Sequence, residues 1–282
     1  MSTVKKQTNS NKQSNVWIVG ASTGIGRALA LHYAKNSLSD GVVISARSAD
    51  KLASLKAEIE KFGTPCTVLP MDVSDAKSLV QAEEHLSNAV DHVSSVIINA
   101  GTCEYMDSND IDPAMARRVF ETNYFGALAV SKIALPHLRA ARDKGYSASM
   151  VFVSSSVTYQ ALPRAHAYGA SKAALRYFAE CLKIDLQHEN INVQLVSPGF
   201  VDTPLTEKND FDMPFIVSSE DAAEIIAKGI DKGTFDIAFP RMFIWALKAM
   251  SKLPSKLRFA LLGKMSRHES QMITESKGSS KA

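Results

Sequence analysis

Short runs of apolar residues alternate along the chain with longer segments in which apolar residues recur every three or four positions. Continuous apolar runs are typical of buried strands, and the longer spacing is typical of helices that bury one face. The runs predict seven strands, at residues 16–20, 42–46, 66–69, 94–98, 150–153, 192–196 and 235–239. The longer segments predict helices at 25–36, 50–62, 75–90, 112–135, 168–187 and 219–231.

This alternation predicts an α/β fold in which about seven parallel strands form a doubly wound sheet with helices on both faces. No linker or low-complexity break interrupts residues 16–240, so one domain is favoured over two small ones. An eight-stranded barrel would need one more strand and helix and would not explain the glycines after the first strand. We expect a disordered leader at 1–15 and an extension at 241–282, with the last ~15 residues also disordered.

The net charge of +3 is unevenly distributed. Residues 1–15 hold three lysines and no acid, and residues 241–282 hold nine Lys or Arg against two Glu. Residues 16–240 therefore carry a net charge of −7 between ends of +3 and +7. The basic character belongs to the two ends and not to the domain between them.

The composition, with 45% hydrophobic and 22% charged residues, excludes a disordered, collagen-like or disulfide-rich protein. Cys66, Cys103 and Cys181 form no CxxC or Cys/His cluster, so neither a disulfide framework nor a metal site is expected. The leader lacks the apolar segment of a secretory signal, and no run approaches the roughly 18 apolar residues of a membrane span. We expect a cytoplasmic protein that is either soluble or attached to a membrane surface.

Residues 20–26 read Gly-Ala-Ser-Thr-Gly-Ile-Gly and connect the first predicted strand to the first predicted helix. Glycines at such a point let the backbone turn tightly and approach a pyrophosphate, which the helix N-terminus stabilises. An ordinary tight turn is the alternative, and the strand-to-helix position favours the dinucleotide site. The residues expected to contact the cofactor here are Gly20, Ser22, Thr23, Gly24, Ile25 and Gly26.

Arg47 and Ser48 follow the second predicted strand, where a dinucleotide fold faces the adenosine ribose. An acid at this point would bind the ribose 2′-hydroxyl, whereas a guanidinium pairs with a 2′-phosphate. Arg47 therefore favours NADP(H) over NAD(H), although a solvated arginine at a strand end is the simpler alternative.

Further motifs follow in a fixed order along the chain. They are Asn99-Ala100-Gly101, Asn123, Ser154-Ser155-Ser156, Tyr168-Gly169-Ala170-Ser171-Lys172 and Ser197-Pro198-Gly199. With the glycine loop, they resemble the short-chain dehydrogenase/reductase family over about residues 16–240. The resemblance implies a Rossmann-like fold and NADP(H)-dependent hydride transfer between nicotinamide and a carbonyl or alcohol substrate. It also implies a homodimer or homotetramer.

The resemblance assigns Asn123, Ser155, Tyr168 and Lys172 as a catalytic tetrad. Ser155 is selected among three serines because the family's serine usually lies thirteen residues before its tyrosine. The same resemblance places cofactor contacts at Arg47, Ser48, Asp72, Val73, Asn99, Ala100, Gly101, Tyr168, Lys172, Pro198, Gly199, Val201 and Thr203. Val19 and Ile98 depart from the family's usual threonine and asparagine, which bears on how the glycine loop is stabilised.

A phenol titrates near pH ~10, so Tyr168 needs a nearby positive charge to exchange protons readily. Lys172, at i+4 on the same helix, is expected to lower the pKa of Tyr168. Tyr168 would then be general acid in reduction, and Ser155 would hydrogen-bond the substrate oxygen. Asn123, by resemblance, would hold a water that connects Lys172 to solvent. His166 receives no acid or base role and is expected at the mouth of the substrate site.

Each of these residues alone has a simpler interpretation. Tyr168 and Lys172 could be a surface pair on a helix, the three serines could belong to a turn, and Asn123 could be a polar residue within a helix. Their order along the chain favours the catalytic reading. A protein that keeps the fold and senses NADP without turnover is the alternative function.

The segment 204–217 is expected to cover the substrate. Its apolar residues favour an apolar or lipid-like carbonyl compound as the substrate. They are Leu205, Phe211, Met213, Pro214, Phe215 and Ile216. We separately expect the reaction to run in the reductive direction.

Residues 240–253 predict a basic amphipathic helix. One face carries Phe243, Ile244, Ala246, Leu247, Met250 and Leu253, and the opposite face carries Arg241, Lys248 and Lys252 beside Trp245. Residues 256–262 again combine basic and apolar residues. The apolar face could pack on its own domain, cover the cleft, bind a second subunit or lie on an anionic membrane. No nucleic-acid module accompanies the bases, so no nucleic-acid partner is expected.

Overall fold

The computed structural model describes residues 14–207 and 209–264, and within them seven parallel strands form one sheet in the order β3-β2-β1-β4-β5-β6-β7. The strands are β1 (Asn15–Val19), β2 (Gly41–Ala46), β3 (Cys66–Pro70), β4 (Val93–Ile98), β5 (Ala148–Val153), β6 (Ile191–Pro198) and β7 (Asp236–Phe239). Each overlaps a predicted strand, so the doubly wound α/β fold is confirmed. All but the last two residues of the predicted leader, and residues 265–282, lie outside the described residues.

The helices of the described ranges are α1 (Gly24–Lys35), α2 (Ala49–Glu60), α3 (Ala76–Ala89), α4 (Pro113–Phe120), α5 (Gly126–Asp143), α6 (His166–Asp185), α7 (Ser219–Asp231), α8 (Arg241–Ser251) and α9 (Ser255–Gly263). Several begin at a side-chain cap that accepts a backbone N–H, as Asp75 and Asp112 do for α3 and α4. No described helix has the length and apolar character needed to cross a bilayer.

Alternate residues of each central strand face two separate hydrophobic cores. In β1, Ile18 packs with α1, α2 and α7, whereas its neighbour Trp17 packs with α3, α5 and α6. Both side chains are fully buried. Because helices cover both faces, each strand is apolar at nearly every position, which is why the runs were continuous in the sequence.

The predicted helix at 112–135 is instead two helices joined by a π-helical turn, Glu121–Phe125. The second of them, α5, continues past Pro136 to Asp143. Pro136 and Lys132 are both exposed, so the Lys132 carbonyl, which loses its helical donor, can be hydrated. The prediction that the helix ends before Pro136 was therefore wrong.

The connections run in opposite directions on either side of β1 and β4, which creates a crevice at the carboxyl ends of these two strands. The glycine loop leaves β1 at this edge, and the segment that begins with Asn99 leaves β4 beside it. The same edge receives the segments that follow β2, β3, β5 and β6. Most of the predicted site residues lie on these segments.

The C-terminal helices pack against the domain through part of the predicted apolar face. Ile244 and Leu247 of α8 are buried, and the Phe243 ring centroid lies 5.4 Å from that of Phe200. Phe243, Met250 and Leu253 are half-buried, whereas Ala246 is exposed. One of the open alternatives for this helix, packing on its own domain, is therefore observed for its inner face.

Candidate active site

The glycine loop brings its backbone against the segment that follows β4. Gly20 and Gly24 have φ angles of +86° and +53°, which favour glycine. A Cβ at Gly20 would lie 2.6 Å from the Ala100 backbone N, and one at Gly26 would overlap the Gly20 carbonyl oxygen. Side chains at these positions would fill the space beside the first turn of α1. That turn contains no acidic residue, and Thr23 makes no side-chain cap, so its N–H groups are available to an anion.

Asn99 stabilises this loop directly. Its Nδ2 donates to the Gly20 carbonyl oxygen at 2.9 Å, and its backbone N donates to the Val19 carbonyl oxygen at 3.0 Å. Val19 and Ile98, the two departures from the family pattern, are buried in the sheet. The loop is therefore held without the hydrogen bonds that threonine and asparagine could provide at those positions.

Arg47 is exposed at the end of β2 and makes no ion pair with the described residues. Arg27, in the first turn of α1, is instead held by both oxygens of Glu58, at 2.6 and 2.7 Å. The Arg47 guanidinium is thus free of a direct ion pair in the described residues, although its charge acts on Asp72. Ser48, predicted to contact the cofactor, caps α2 by accepting from the Lys51 N–H at 3.4 Å.

Asp72 and Val73 follow β3 at the same edge. Burial acts to raise the pKa of Asp72, but hydrogen bonds from Ser74 and the charge of Arg47 outweigh it, so the pKa lies below the usual carboxyl range. Asp72 Oδ1 accepts from the Ser74 N–H at 2.9 Å and its hydroxyl at 2.6 Å. Val73 packs on Gly126, where a Cβ would lie 2.7 Å from Val73 Cγ2. Both positions therefore have a structural role in the described residues, and their contact with the cofactor stays a prediction.

Asn123 and Lys172 meet beside Gly101. The π-helical turn buries Asn123 completely, and its Oδ1 accepts from the Thr102 N–H at 2.7 Å. Asn123 Nδ2 donates to the Thr102 carbonyl oxygen at 2.9 Å and to Ser171 Oγ at 3.0 Å. A Cβ at Gly101 would lie 3.2 Å from Asn123 Oδ1 and 3.3 Å from Lys172 Nζ. These two polar atoms therefore border one small space that a side chain at Gly101 would crowd.

Ser155 is the serine that faces the phenol of Tyr168, with which it shares a hydrogen bond. Ser154 Oγ instead donates to the Lys172 carbonyl oxygen at 3.2 Å, and Ser156 begins a buried 3₁₀ turn. Lys172 is itself only 4% exposed, and its Nζ donates to the Val153 carbonyl oxygen at 2.8 Å. The structure thus brings together all four residues of the predicted tetrad.

The prediction that Lys172 lowers the pKa of Tyr168 was wrong for this structure. Burial raises the pKa of Tyr168 to about 12, although the hydrogen bond with Ser155 acts in the opposite direction. Burial also lowers the pKa of Lys172 to about 8. Lys172 Nζ lies 6.0 Å from the centroid of the Tyr168 ring. Removal of the phenol from water therefore determines the direction of the shift, and Tyr168 carries its proton at neutral pH.

The structure places Cys103 and Tyr105, which were not among the predicted site residues, at the same site. The Cys103 thiol is close enough to influence the pKa of both Tyr168 and Lys172, and burial raises its own pKa. Cys103 and Tyr105 share a hydrogen bond, and burial raises the pKa of Tyr105. Their position two and four residues after Gly101 was the only available signal.

The segment predicted to cover the substrate is fastened over this edge. Tyr105 Oη donates to Asn209 Oδ1 at 2.7 Å, and Arg164 Nη1 donates to Asp210 Oδ1 at 2.7 Å. The Arg164 guanidinium also lies 5.1 Å from the Tyr105 ring centroid. Phe211 packs edge-on against Tyr105, at a centroid distance of 5.6 Å. His166 is exposed at the first position of α6.

The turn after β6 joins this segment to the glycine loop. Pro198 ends β6, and Gly199 N donates to the Phe239 carbonyl oxygen at 2.7 Å. Val201 is buried and forms an isolated parallel bridge with Val217. A Cβ at Gly24 would lie 2.9 Å from Thr203 Cγ2, so Thr203 sits directly on the glycine loop.

Within residues 14–207 and 209–264, no group of three or more His, Cys, Asp or Glu side chains is placed to hold a metal ion. The polar groups at the edge are instead an amide, hydroxyls and an ammonium. These groups are suited to donating hydrogen bonds to a substrate oxygen.

The family model for short chain dehydrogenase matches residues 14–213. The chain belongs to the short-chain dehydrogenase/reductase family. An uncharacterized oxidoreductase of Myxococcus xanthus (strain DK1622) is 31% identical over 240 residues, which cover 85% of this chain and 92% of that protein. Dehydrogenase/reductase SDR family member 7B of Bos taurus is 32% identical over 198 residues, covering 68% of this chain and 59% of the bovine protein.

Solved structures of other short-chain dehydrogenase/reductases share the fold. One from Burkholderia phymatum, in complex with NAD, has a TM-score of 0.75 at 20% identity and covers 84% of this chain and 92% of its own. One from Sphingobium yanoikuyae, in complex with NADPH, has a TM-score of 0.72 at 21% identity and covers 86% and 97%. Family membership makes this chain an NAD(P)-dependent oxidoreductase that acts on alcohol or carbonyl groups of small molecules.

Proposed function

We propose that this protein reduces apolar carbonyl compounds with NADPH. The observation that carries the proposal is the convergence of Ser155, Tyr168, Lys172 and Asn123 at the edge that the glycine loop also borders. An arrangement that retains every one of these groups favours turnover over the alternative of an NADP-sensing protein without catalysis.

The residues at the crevice fit a dinucleotide. The N–H groups at the start of α1 and the close approach of Gly20 to Ala100 suit a pyrophosphate, and Thr203 borders the same loop. Arg47 would bind the 2′-phosphate of NADP(H), because it is exposed and unpaired while Arg27 is neutralised by Glu58. When bound, the reduced nicotinamide supplies the hydride that the carbonyl carbon accepts.

The protein's own residues would bind the substrate oxygen and supply the proton that this oxygen receives. Ser155 Oγ would donate a hydrogen bond to the substrate oxygen and hold the carbonyl in place as negative charge develops on that oxygen. Tyr168 Oη would transfer its proton to the same oxygen, so that the C=O bond becomes CH–OH. No covalent intermediate between enzyme and substrate is required.

Lys172 and Asn123 would return a proton to Tyr168. A charged Lys172 stabilises the phenolate that remains after transfer, and its pKa of about 8 keeps it mostly charged at neutral pH. Asn123 Oδ1 retains an acceptor lone pair beside Lys172 Nζ, which suits a water in a proton path to solvent. Tyr168, protonated at neutral pH, is in the state that a general acid for reduction requires.

The apolar substrate is proposed from the aromatic side chains beside Tyr168. Phe211 lies between Tyr105 and Phe200, at centroid distances of 5.6 and 5.9 Å, and is 40% exposed. Exposed aromatic surface next to the reacting groups would bind an apolar body while Ser155 and Tyr168 bind its oxygen.

The homodimer or homotetramer also remains a proposal. Two large apolar side chains of α6 are exposed, Tyr177 at 73% and Ile184 at 72%. Such side chains would be covered by a second subunit. Cytoplasmic localisation stays a prediction from the sequence.

The test is a panel of aldehydes and ketones of increasing apolar area, assayed with NADPH and with NADH. We expect consumption of NADPH to exceed that of NADH and kcat/KM to rise with the apolar area of the substrate. NADPH binding without turnover of any compound would favour the sensing protein, and a preference for NADH would contradict the role of Arg47.

A further inference from the structure

The outer face of the C-terminal helices carries large apolar side chains that the domain does not cover. Met242 and Trp245 of α8 are 71% and 73% exposed, although Ile244 and Leu247 of the same helix are buried. Residues 242, 245, 249 and 252 follow helical spacing and form one stripe on the side away from the core. In α9, Leu257 and Leu261 form a second exposed pair at i and i+4.

The charge of the same helices has one sign. Residues 241–264 contain six Lys or Arg and no acid. Lys248 and Arg258 have partners, since Lys248 Nζ lies 4.4 Å from the Tyr159 ring centroid and Arg258 Nη1 donates to the Ser251 carbonyl oxygen at 3.1 Å. Arg241, Lys252, Lys256 and Lys264 form no ion pair with the described residues.

A second copy of the chain fits this face poorly. In a two-fold symmetric dimer the same patch meets itself, so the unpaired bases of one copy would face those of the other without an intervening acid. The phosphates of a nucleic acid would pair with the Lys and Arg side chains but would leave Met242 and Trp245 in water or against phosphate. An anionic lipid surface satisfies both groups, because phosphate headgroups pair with the bases and the interface accepts tryptophan and aliphatic side chains.

We propose that the exposed stripes of α8 and α9, with their unpaired bases, dock this protein on an anionic membrane surface. We name these residues together the docking surface; they are Arg241, Met242, Trp245, Lys252, Lys256, Leu257, Leu261 and Lys264. The proposal does not depend on turnover, so its failure and that of the proposed function are distinguishable.

The docking surface is coupled to the candidate active site by aromatic packing. Phe243, next to Met242 in α8, lies against Phe200 at a centroid distance of 5.4 Å, and a Cβ at Gly199 would lie 2.8 Å from its ring. Phe200 in turn contacts Phe211 of the segment over the cleft. Docking would therefore hold the mouth of the cleft close to the lipid surface, which suits an apolar substrate that partitions into the bilayer.

Sedimentation of the full chain with vesicles tests the proposal. We expect the protein to sediment with phosphatidylcholine vesicles that contain phosphatidylserine, and to be released by high salt. Met242→Ser combined with Trp245→Ser should lower the partition coefficient about tenfold or more, because the apolar stripe of α8 is lost. Lys252→Gln combined with Lys256→Gln should lower it roughly 30-fold at low salt.

Matched variants at the opposite edge of the sheet provide the controls. Phe62 and Val80 are 48% and 56% exposed, and Phe62→Ser with Val80→Ser should leave partition unchanged. Lys51→Gln with Lys61→Gln is the corresponding control for charge. The proposal is overturned if wild-type protein stays in the supernatant with anionic vesicles, or if the controls reduce sedimentation as much as the docking-surface variants. It is equally overturned if the Met242 and Trp245 variant changes only the oligomeric mass.

Tryptophan fluorescence provides a second measurement without substitution. The chain has two tryptophans, and Trp17 is fully buried with its Nε1 donating to Ser45 Oγ at 2.7 Å. A blue shift of emission on adding anionic vesicles therefore reports Trp245. We expect this shift with phosphatidylserine vesicles and none with phosphatidylcholine alone; unchanged emission with both would contradict docking through α8.

Discussion

The carboxyl edge of the sheet and the docking surface of α8 and α9 differ in how their polar side chains are used. At the edge, Asn123, Ser154 and Lys172 each bond to a neighbouring backbone or side chain, and Lys172 is almost completely buried. On the docking surface, Lys252 and Lys256 are exposed and form no ion pair within the described part of the chain, and the apolar side chains Met242 and Trp245 are exposed as well. The polar groups of the edge are thus mostly used within the protein, whereas those of the docking surface are exposed to whatever lies outside it.

If the edge functions as a connected unit, removing one buried group should affect catalysis far more than folding. We expect Lys172→Met to lower kcat/KM by about 10² to 10⁴, because the phenolate of Tyr168 loses its stabilising charge. In the wild type, kcat/KM for reduction should fall as pH rises through about 8, where Lys172 loses its proton. The variant should lack that fall, and steady-state kinetics across pH measures both effects.

Lys183→Met is the matched control for this prediction. Lys183 lies on the same helix and donates to Asn192 Oδ1 at 2.7 Å, away from the edge. Its variant should keep wild-type kinetics. Equal losses of activity in the two variants would show that the effect comes from α6 as a whole.

Substitution of Arg47 tests whether an exposed arginine without an ion pair at the edge binds the 2′-phosphate of NADPH. Arg47→Asp should weaken NADPH binding about 10- to 100-fold and so narrow the preference for NADPH over NADH. Arg27→Met, which removes a guanidinium already paired with Glu58, should leave the ratio of the two affinities unchanged. Calorimetric titration measures both ratios, and an unchanged ratio in Arg47→Asp would remove Arg47 as the phosphate-binding residue.

Alanine substitutions at two glycines with similar φ angles distinguish the cost of close packing at the edge from the cost of backbone strain alone. Gly20 and Gly63 have φ angles of +86° and +79°, but a Cβ at Gly63 would meet nothing within 4 Å. Gly63→Ala should cost about 1 kcal/mol of unfolding free energy from backbone strain alone. Gly20→Ala should cost about 2–4 kcal/mol, since its Cβ would also collide with Ala100. Equal costs in denaturant unfolding would mean that the loop is not tightly packed.

The sequence predicted the sheet well because burial on both faces makes every strand a continuous apolar run. It could not predict the π-helical turn that buries Asn123, since one shifted hydrogen bond leaves the hydrophobic pattern unchanged. The tetrad was found through spaced motifs, but Tyr105 was missed because its partner Asn209 lies 104 residues further along the chain. The direction of the Tyr168 pKa shift depended on burial, which the spacing of Tyr168 and Lys172 does not report.

The most direct test of catalysis at the edge is a single substitution, Tyr168→Phe, which removes the phenol O–H and keeps the ring. We predict that NADPH affinity stays at the wild-type value while kcat for carbonyl reduction falls by about 10² to 10⁴. Tyr33→Phe, at a buried tyrosine of α1 in the core, should retain wild-type kcat. Wild-type kcat in Tyr168→Phe would contradict the assignment of Tyr168 as the general acid.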